Sequence, residues 1–197
     1  QLELKGLLIK KGTAVDATII KSSNKPLSKE QRIRLEKNPS SQIDTDAKST
    51  EKNKKKYFGY KGHIGLDIES KIIRKRSFTA ANVHDSQKMD DCLSGDEKAV
   101  FADKAYVNRK RKTAARALGI YYGVLDKGKL SKRKQKRNQM LSRIRAAVEH
   151  PFAFIKNKLK YHKARAKNLA RNALVFDMNC IIYNVLRASF LLKRQLA

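Results

Sequence analysis

Residues 12–20, GTAVDATII, form the segment around which the rest of this chain is organised. The segment begins with a glycine, is rich in β-branched residues and carries one acid, Asp16, in its middle. β-branched side chains favour strands, and an acid inside an apolar strand is costly unless it is bound or paired. The pattern therefore predicts a strand with a carboxylate that has a specific partner.

The later segments predict the neighbours of this strand. YFGYKGHIGLDI (57–68) and KIIRKRSFTAAN (71–82) have strand character around the turn ESK, which predicts an antiparallel hairpin that pairs with the first strand. KAVFADKAY (98–106) predicts a buried strand with Asp103 at its C-terminal edge, and IYYGVL (120–125) predicts another strand.

Helical patterns separate and follow these strands. HDSQKMDDCL (84–93) predicts a short helix, and NRKRKTAARALG (108–119) predicts a helix with an Asn N-cap and a Gly stop. From Ser131 onward the pattern is helical, with an interruption expected at Pro151 and a last helix over roughly 168–192.

The segment 21–56 is polar and contains Pro26 and Pro39, which predicts a long loop or a loop with a short helix. Asp44 and Asp46 are expected to be solvated loop acids. With this polar loop included, residues 1–197 are expected to form a single domain. The order of strand, hairpin, helix, strand, helix, strand and helices predicts an α/β fold with a ribonuclease-H-like mixed sheet, flanked by helices and ending in a helical C-terminus.

The composition indicates a polyanionic partner. The chain has 197 residues, an apolar fraction of 41% and a formal net charge of +28. The length and apolar fraction suffice for a sizeable core and exclude a disordered basic tail. Phosphates gain most from so positive a field, so the expected partner is nucleic acid. Its backbone would contact exposed cations that include Lys104, Arg109 and Lys112.

The cysteines and the apolar runs indicate the kind of cellular compartment in which the protein is expected. Cys92 and Cys180 have no Cys or His at ligand spacing, which argues against a zinc ribbon or a disulfide framework and for a reducing compartment. No apolar run is expected to reach the ~18 residues of a membrane span, and no membrane contact is expected. The chain starts with Gln1, without a signal pattern, which indicates a fragment.

Three acids are candidates for a metal site. Asp16 lies inside one predicted strand, Asp103 at the end of another, and Glu149 on a helix in a strongly basic region. Phosphoryl transfer on nucleic acid is well served by two divalent ions held by carboxylates from different elements. Each acid alone is more simply explained by a solvated position or a salt bridge. Their joint placement favours a site for two Mg²⁺ or Mn²⁺ ions.

Two cations flank Glu149 on its helix. Spacings of four and seven place Arg145, Glu149 and Lys156 within about 40° of one another around a regular helix. One face would then offer a carboxylate to a metal and cations to phosphates. The alternative is an intrahelical ion pair between Arg145 and Glu149. A kink or a new helix at Pro151 would turn Lys156 away from this face.

Five ordered segments resemble the motifs of bacterial insertion-sequence DDE transposases: VDATII, YFGYKGHIGLD, TAANVHDS, FADKAY and RAAVEHPFAFIK. The nearest match is the insertion-sequence-five group of the insertion-sequence-four-like transposases, and the similarity runs from about residue 8 to the C-terminus. The resemblance implies that Asp16, Asp103 and Glu149 hold the metal ions. It also implies cleavage of DNA strands at element ends and their transfer into target DNA.

The resemblance implies further roles. The family signature Y-x2-R-x3-E-x6-K maps onto Arg145, Glu149 and Lys156, with Ser142 in place of the Tyr that would contact DNA near the cut. Family members carry an N-terminal DNA-binding region, whereas only 15 residues precede Asp16 here. The expected molecule is a catalytic domain without its end-recognition part. We expect it to act on terminal inverted repeats and target DNA as a homodimer, in the bacterial cytoplasm at the nucleoid.

Two other functions fit the same residues. A structure-selective nuclease on this fold would cut DNA without joining strands. An inactive transposase remnant, or a plain nucleic-acid-binding protein, would bind DNA without metal-dependent cleavage. The sequence leaves the terminal repeats and the target preference open.

Overall fold

The computed structural model describes residue 3, residues 5–40 and residues 42–195. In this part of the chain the strands are β1 (Thr13–Ser22), β2 (Lys48–Lys52), β3 (Lys55–Asp67), β4 (Ile73–Ala80), β5 (Ala99–Ala102), β6 (Tyr121–Val124) and β7 (Lys163–Ala164). The helices are α1 (Lys29–Lys37), α2 (Arg109–Ala117), α3 (Lys132–Arg145), α4 (Glu149–Ala153) and α5 (Leu169–Gln195). Short 3₁₀ turns cover Asp85–Lys88, Asp90–Cys92, Lys104–Tyr106 and Ala146–Val148, and a π-helical turn covers Phe154–Lys158.

The strands form one mixed sheet. β3 pairs antiparallel with β1, β2 and β4, whereas β5 and β7 pair parallel with β1, and β6 pairs parallel with β5. β2 and β4 lie end to end along one edge of β3. The predicted α/β fold is therefore confirmed, with an antiparallel hairpin, parallel strands, flanking helices and a helical C-terminus. That residues 1–197 make a single domain stays a prediction.

Glycines let β3 approach its neighbours closely. A Cβ added to Gly62 would lie 2.5 Å from the Phe176 ring of α5, and one added to Gly65 would lie 1.8 Å from the Cys92 carbonyl oxygen. Both distances are shorter than a non-bonded contact allows. The glycines of YFGYKGHIGLD thus allow α5 and the turn at Cys92 to pack directly against the sheet.

The sheet separates two apolar clusters. On the side of α3, α4 and α5, the larger cluster includes Ala14, Ile20, Tyr60, Leu141, Phe176 and Tyr183. The smaller cluster, on the other side, contains Val15, Met89, Cys92, Val100, Ala102, Tyr106 and Val124. Because side chains alternate along a strand, Val15 enters the smaller cluster and its neighbour Asp16 faces the helices.

The segment 21–56 has more regular structure than the predicted polar loop. β1 continues to Ser22, α1 begins at a capping box formed by Ser28 and Gln31, and β2 pairs with β3. The short helix is within the prediction, whereas β2 is not. β2 has the sequence KSTEK and is largely exposed. It therefore lacks the apolar alternation by which a strand is recognised.

The acids of this segment are not the solvated loop residues that were expected. Asp44 is 2% exposed and accepts a hydrogen bond from the Tyr60 hydroxyl at 2.5 Å. Asp46 accepts a hydrogen bond at 2.7 Å from the backbone N–H of Leu169, the first residue of α5. The two carboxylates thus fasten the segment to β3 and to the last helix.

Two helical predictions need correction. The short helix predicted over 84–93 is a pair of 3₁₀ turns. The interruption predicted at Pro151 lies slightly earlier, because α3 ends at Arg145, a 3₁₀ turn covers Ala146–Val148, and α4 begins at Glu149. Pro151 falls in the first turn of α4, where a missing backbone donor costs little.

α5, at 27 residues, is the longest helix in the described part of the chain. By length and composition it is apolar enough to cross a membrane, which the sequence patterns did not predict. The buried core helix of a soluble protein passes the same test. One face of α5 buries Phe176, Cys180 and Tyr183 against the sheet, and the other exposes Leu174, Met178, Ile181 and Val185.

Candidate active site

The strand register brings Asp16 and Asp103 together. The last residues paired between β1 and β5 are Val15 and Ala102, and the two aspartates follow them directly. Neighbouring strands lie about 4.8 Å apart, so the two acids occupy equivalent positions on adjacent parallel strands. Both line one cavity of about 300 Å³, here called the acidic cavity.

Asp16 is held by a cation from a distant part of the chain. Its Oδ2 lies 2.6 Å from Arg145 Nη1, and its Oδ1 accepts a hydrogen bond from the Ala17 backbone at 2.8 Å. Burial nevertheless raises the pKa of Asp16 above its ordinary value, because Arg145 offsets only part of the desolvation. Asp103 raises this pKa further, and Lys52 lowers it. A cation that entered the cavity would favour the ionised carboxylate.

Asp103 has unused hydrogen-bonding capacity. Its side chain caps the following 3₁₀ turn by accepting a hydrogen bond from the Lys104 backbone at 2.7 Å. It forms no ion pair with any residue that the structure describes. On its other side Asp103 borders a second cavity of about 570 Å³ that Ser142 also lines. Ser142, which stands where the family signature has Tyr, thus lines the same cavity as Asp103.

Arg145 points to the sheet rather than along its own helix. Its ion pair is with Asp16, 129 residues away, so the intrahelical pair with Glu149 is not formed. Glu149 is exposed, at the start of α4, and makes no ion pair or side-chain hydrogen bond within the described residues. Among those residues no group of three or more His, Cys, Asp or Glu is arranged to hold a metal ion. The structure therefore joins two of the three predicted acids, and the convergence of Glu149 stays a prediction.

Lys156 lies on the sheet side of the helical run. It is partly buried, and burial lowers its pKa, with a further contribution from the positive charges of Lys52 and Lys21. Lys52 also lines the acidic cavity. A π turn rather than a regular helix carries Lys156, so that the angular spacing expected for a regular helix does not apply to it, and a face shared with Arg145 and Glu149 stays a prediction.

The other predicted DNA contacts lie just beyond Asp103. Lys104 is exposed in the following 3₁₀ turn, and Arg109 and Lys112 are exposed on α2. None of the three forms an ion pair with a described residue. Their role in binding DNA stays a prediction.

Sequence patterns missed several residues of the acidic cavity. Lys61 and Asp85 line it, and Lys61 Nζ lies 2.8 Å from Asp85 Oδ1. His84 is the N-cap of the turn at 85–88, which leaves Asp85 free to face Lys61. Asp85 lies in the motif TAANVHDS and Lys61 in the motif YFGYKGHIGLD, but only the fold shows that the two side chains meet. Lys52 was missed because β2 was not predicted.

The fold and these residues define a class of protein. A mixed sheet covered by helices, with one acid inside the first strand and another at the end of the adjacent parallel strand, is the arrangement of a ribonuclease-H-like domain. A protein-family model described as "Transposase DDE domain" matches residues 8–185, so the chain belongs to the DDE transposase family. Membership implies a transposase that acts on DNA, and the family uses divalent metal ions.

Proposed function

We propose that this chain is the catalytic domain of a bacterial insertion-sequence transposase of the insertion-sequence-five group. It cuts DNA strands at the element ends and transfers the freed 3′ ends into target DNA. The observation that supports this most directly is the pair of acids Asp16 and Asp103 in one cavity, beside Arg145. The net charge of +28 supports a DNA substrate.

The two aspartates fit a divalent cation. The pKa of Asp16 is raised by burial, and Asp103 lacks a cationic partner among the described residues. Mg²⁺ and Mn²⁺ favour such oxygen ligands. In this proposal Glu149 completes the ligand set from the helical run, and the site takes two ions. When bound, the ions would activate the attacking oxygen and stabilise the charge on the leaving oxygen.

The surrounding cations bind the DNA backbone. Arg145 and Lys156 hold phosphates next to the acids, because both extend from the helical run toward the sheet. Lys104, Arg109 and Lys112 extend this contact along α2. A guanidinium matches a phosphate bidentately, whereas an ammonium acts as a point charge, so Arg145 fixes orientation and the lysines add affinity.

The assembly follows from the reaction. Two element ends must be processed together, so we also propose a homodimer in the active complex. DNA as the substrate fits a cytoplasmic location at the nucleoid.

The proposal is tested with the purified chain and labelled DNA that carries the inverted repeats flanking its gene. We expect Mn²⁺-dependent strand cleavage and joined products with a target plasmid. Glu149→Gln should abolish cleavage while DNA affinity is kept or increases, because the change removes a metal ligand and also a negative charge.

Each alternative function has its own outcome in this assay. Cleavage without joined products would indicate a nuclease. DNA binding without cleavage in either Mg²⁺ or Mn²⁺ would indicate a binding protein or an inactive remnant. Unchanged cleavage by the Glu149 variant would remove Glu149 from the ligand set.

A further inference from the structure

The Tyr106 side chain is fixed between the acidic cavity and the smaller apolar cluster. It is 1% exposed and packs among residues that include Val15, Val100 and Val124. Its backbone N–H donates to the Asp103 carbonyl at 2.9 Å, and its carbonyl accepts a hydrogen bond from the Tyr122 hydroxyl at 3.0 Å. Hydrogen bonds thus hold both the backbone N–H and the carbonyl of Tyr106, which lies three residues after the candidate metal ligand Asp103.

The hydroxyl of Tyr106 is buried without a hydrogen-bond partner among the described residues. The other strongly buried tyrosines all have one: the hydroxyls of Tyr60, Tyr161 and Tyr183 donate to Asp44, Asn172 and Lys71 at 2.5, 3.1 and 2.8 Å. Buried hydroxyls without partners are rare because their desolvation is uncompensated. A phenylalanine would fill the same space without that penalty.

The surroundings of the hydroxyl indicate what it donates to. Tyr106 lines the acidic cavity together with Asp16, Asp85 and Asp103. Burial is the main reason that the pKa of Tyr106 is raised, and the negative charges of these three carboxylates raise it further. The hydroxyl therefore stays protonated and can donate a hydrogen bond. The carboxylates of Asp16, Asp85 and Asp103 are the nearby acceptors, but none of them accepts a hydrogen bond from it in this structure.

We propose that Tyr106 is a positioning residue, whose hydroxyl donates a hydrogen bond to the carboxylate of Asp16 or Asp103 when a divalent cation occupies the acidic cavity. This inference rests on the proposed function, which supplies the cation. Hydrogen bonds from an outer shell fix the orientation of ligating carboxylates. The donor is already in place before the cation binds, since its ring is packed, so only the carboxylate has to move.

Tyr106→Phe tests this, with Tyr161→Phe as the matched control. Both changes remove one buried hydroxyl, but only that of Tyr161 is hydrogen-bonded within the fold. Three quantities are measured for the full chain: the Tm without metal, the Mn²⁺ affinity by electron paramagnetic resonance, and the Mn²⁺ concentration that gives half-maximal cleavage.

Tyr106→Phe should change the Mn²⁺ affinity and Tyr161→Phe should change the Tm. Tyr106→Phe should keep or raise the Tm, weaken Mn²⁺ binding about 10–100-fold, as outer-shell changes do, and raise the Mn²⁺ concentration required for cleavage. Tyr161→Phe should lower the Tm and leave Mn²⁺ affinity unchanged. The proposal is overturned if Tyr106→Phe binds Mn²⁺ like the unmodified chain, or if its Tm falls as that of Tyr161→Phe does.

The same measurements separate the two proposals. If the unmodified chain binds Mn²⁺ and Tyr106→Phe weakens this binding, but neither cuts DNA, the positioning role stands and the transposase proposal fails. If the unmodified chain cuts and joins DNA and Tyr106→Phe has unchanged Mn²⁺ affinity, only the positioning role fails.

Discussion

The two ends of the parallel pairing between β1 and β5 both hold acids beside cations, but only one end pairs all of them. At the amino end, the Glu97 side chain is 2% exposed and accepts hydrogen bonds from two backbone N–H groups at 2.6 and 2.8 Å. Arg74 Nη1 lies 3.5 Å from Glu97 Oε1, and Arg74 also pairs with Asp96. Lys10 Nζ lies 2.9 Å from Asp96 Oδ2. We call Lys10, Thr13, Arg74, Asp96 and Glu97 the amino-end network.

At the other end, in the acidic cavity, some of the polar groups have no partner. Within the described residues, Asp103 has no cationic partner and the Tyr106 hydroxyl has no acceptor. The charges that affect the pKa of Lys156 are those of two other lysines, Lys52 and Lys21, and both lower it together with burial. The acidic cavity therefore leaves one acid and one hydroxyl donor without partners, although Asp16 pairs with Arg145 and Asp85 with Lys61.

The difference separates a structural polar network from a site. A buried network in which every group is paired stabilises one arrangement of the chain, as the amino-end network does. Groups that stay unpaired near a cavity lower the stability of the chain, and a ligand that binds there can satisfy them. Changes at the two ends should therefore affect different measurements.

Asp103→Asn should have the largest effect, and on activity alone. The asparagine can still accept the capping hydrogen bond from the Lys104 backbone, so the Tm should stay within about 2 °C, as for a surface change. The loss of a metal ligand should lower the cleavage rate by at least about a hundredfold, the upper range for outer-shell changes. Cleavage rates and thermal unfolding check both statements, and a large fall in Tm would assign Asp103 to the fold.

Glu97→Gln should have the next largest effect, and on stability alone. The amide cannot accept from both backbone donors and leaves Arg74 without this partner. Breaking a buried pair in this way should lower the free energy of unfolding by about 3 kcal/mol. Urea unfolding gives this value, and cleavage per folded molecule should not change. A lower rate per folded molecule would mean that the two ends of the β1–β5 pairing are coupled.

Lys156→Ala should weaken DNA binding about fivefold and reduce the salt slope by about one, as expected for one lost phosphate contact. The matched control is Lys158→Ala, in the same π turn but exposed. Fluorescence anisotropy at several salt concentrations measures both slopes. Equal effects of the two variants would show that Lys156 contributes only general positive charge.

Acid should remove a small part of the stability through the amino-end network. Hydrogen bonds from Lys10 and then from Arg74 lower the pKa of Asp96 from 3.8 to about 2. A carboxyl whose pKa is lowered in the folded state stabilises the fold at any pH above its unfolded pKa. This contribution of Asp96 is lost as the pH falls from about 4 through about 2. Asp96 is 42% exposed as a side chain, so solvent screening keeps the contribution below about 1 kcal/mol.

The change Asp96→Asn should therefore remove this pH dependence. Urea unfolding at pH 2, 3 and 5 measures it, with the exposed Glu36→Gln in α1 as the control. An unchanged dependence in Asp96→Asn would place the acid-sensitive pairs elsewhere.

Local patterns predicted the parts of the fold that depend on neighbouring residues. GTAVDATII and the hairpin segments have the composition of strands, and α2 has its Asn108 cap as predicted. The sequence predicted Asp16 inside one strand and Asp103 at the end of another, and both positions are confirmed. The register that makes them neighbours is seen only in the fold.

Patterns failed where a distant contact outweighs the local signal. β2 has no apolar alternation and exists because β3 offers it an edge. Asp44 belongs to a polar segment but is buried under Tyr60.

The sequence by itself determined the positions of β1, β3, β4, β5 and β6 along the chain, the basic charge and the two aspartates, since these depend on composition and on the alternation of side chains along each strand. Only the tertiary structure decided the partner of Arg145. On an isolated helix, Glu149 one turn away would pair with it weakly. In the folded chain the helical run packs over β1, and Arg145 turns to Asp16. A half-buried carboxylate needs a counter-charge more than an exposed one that water already solvates.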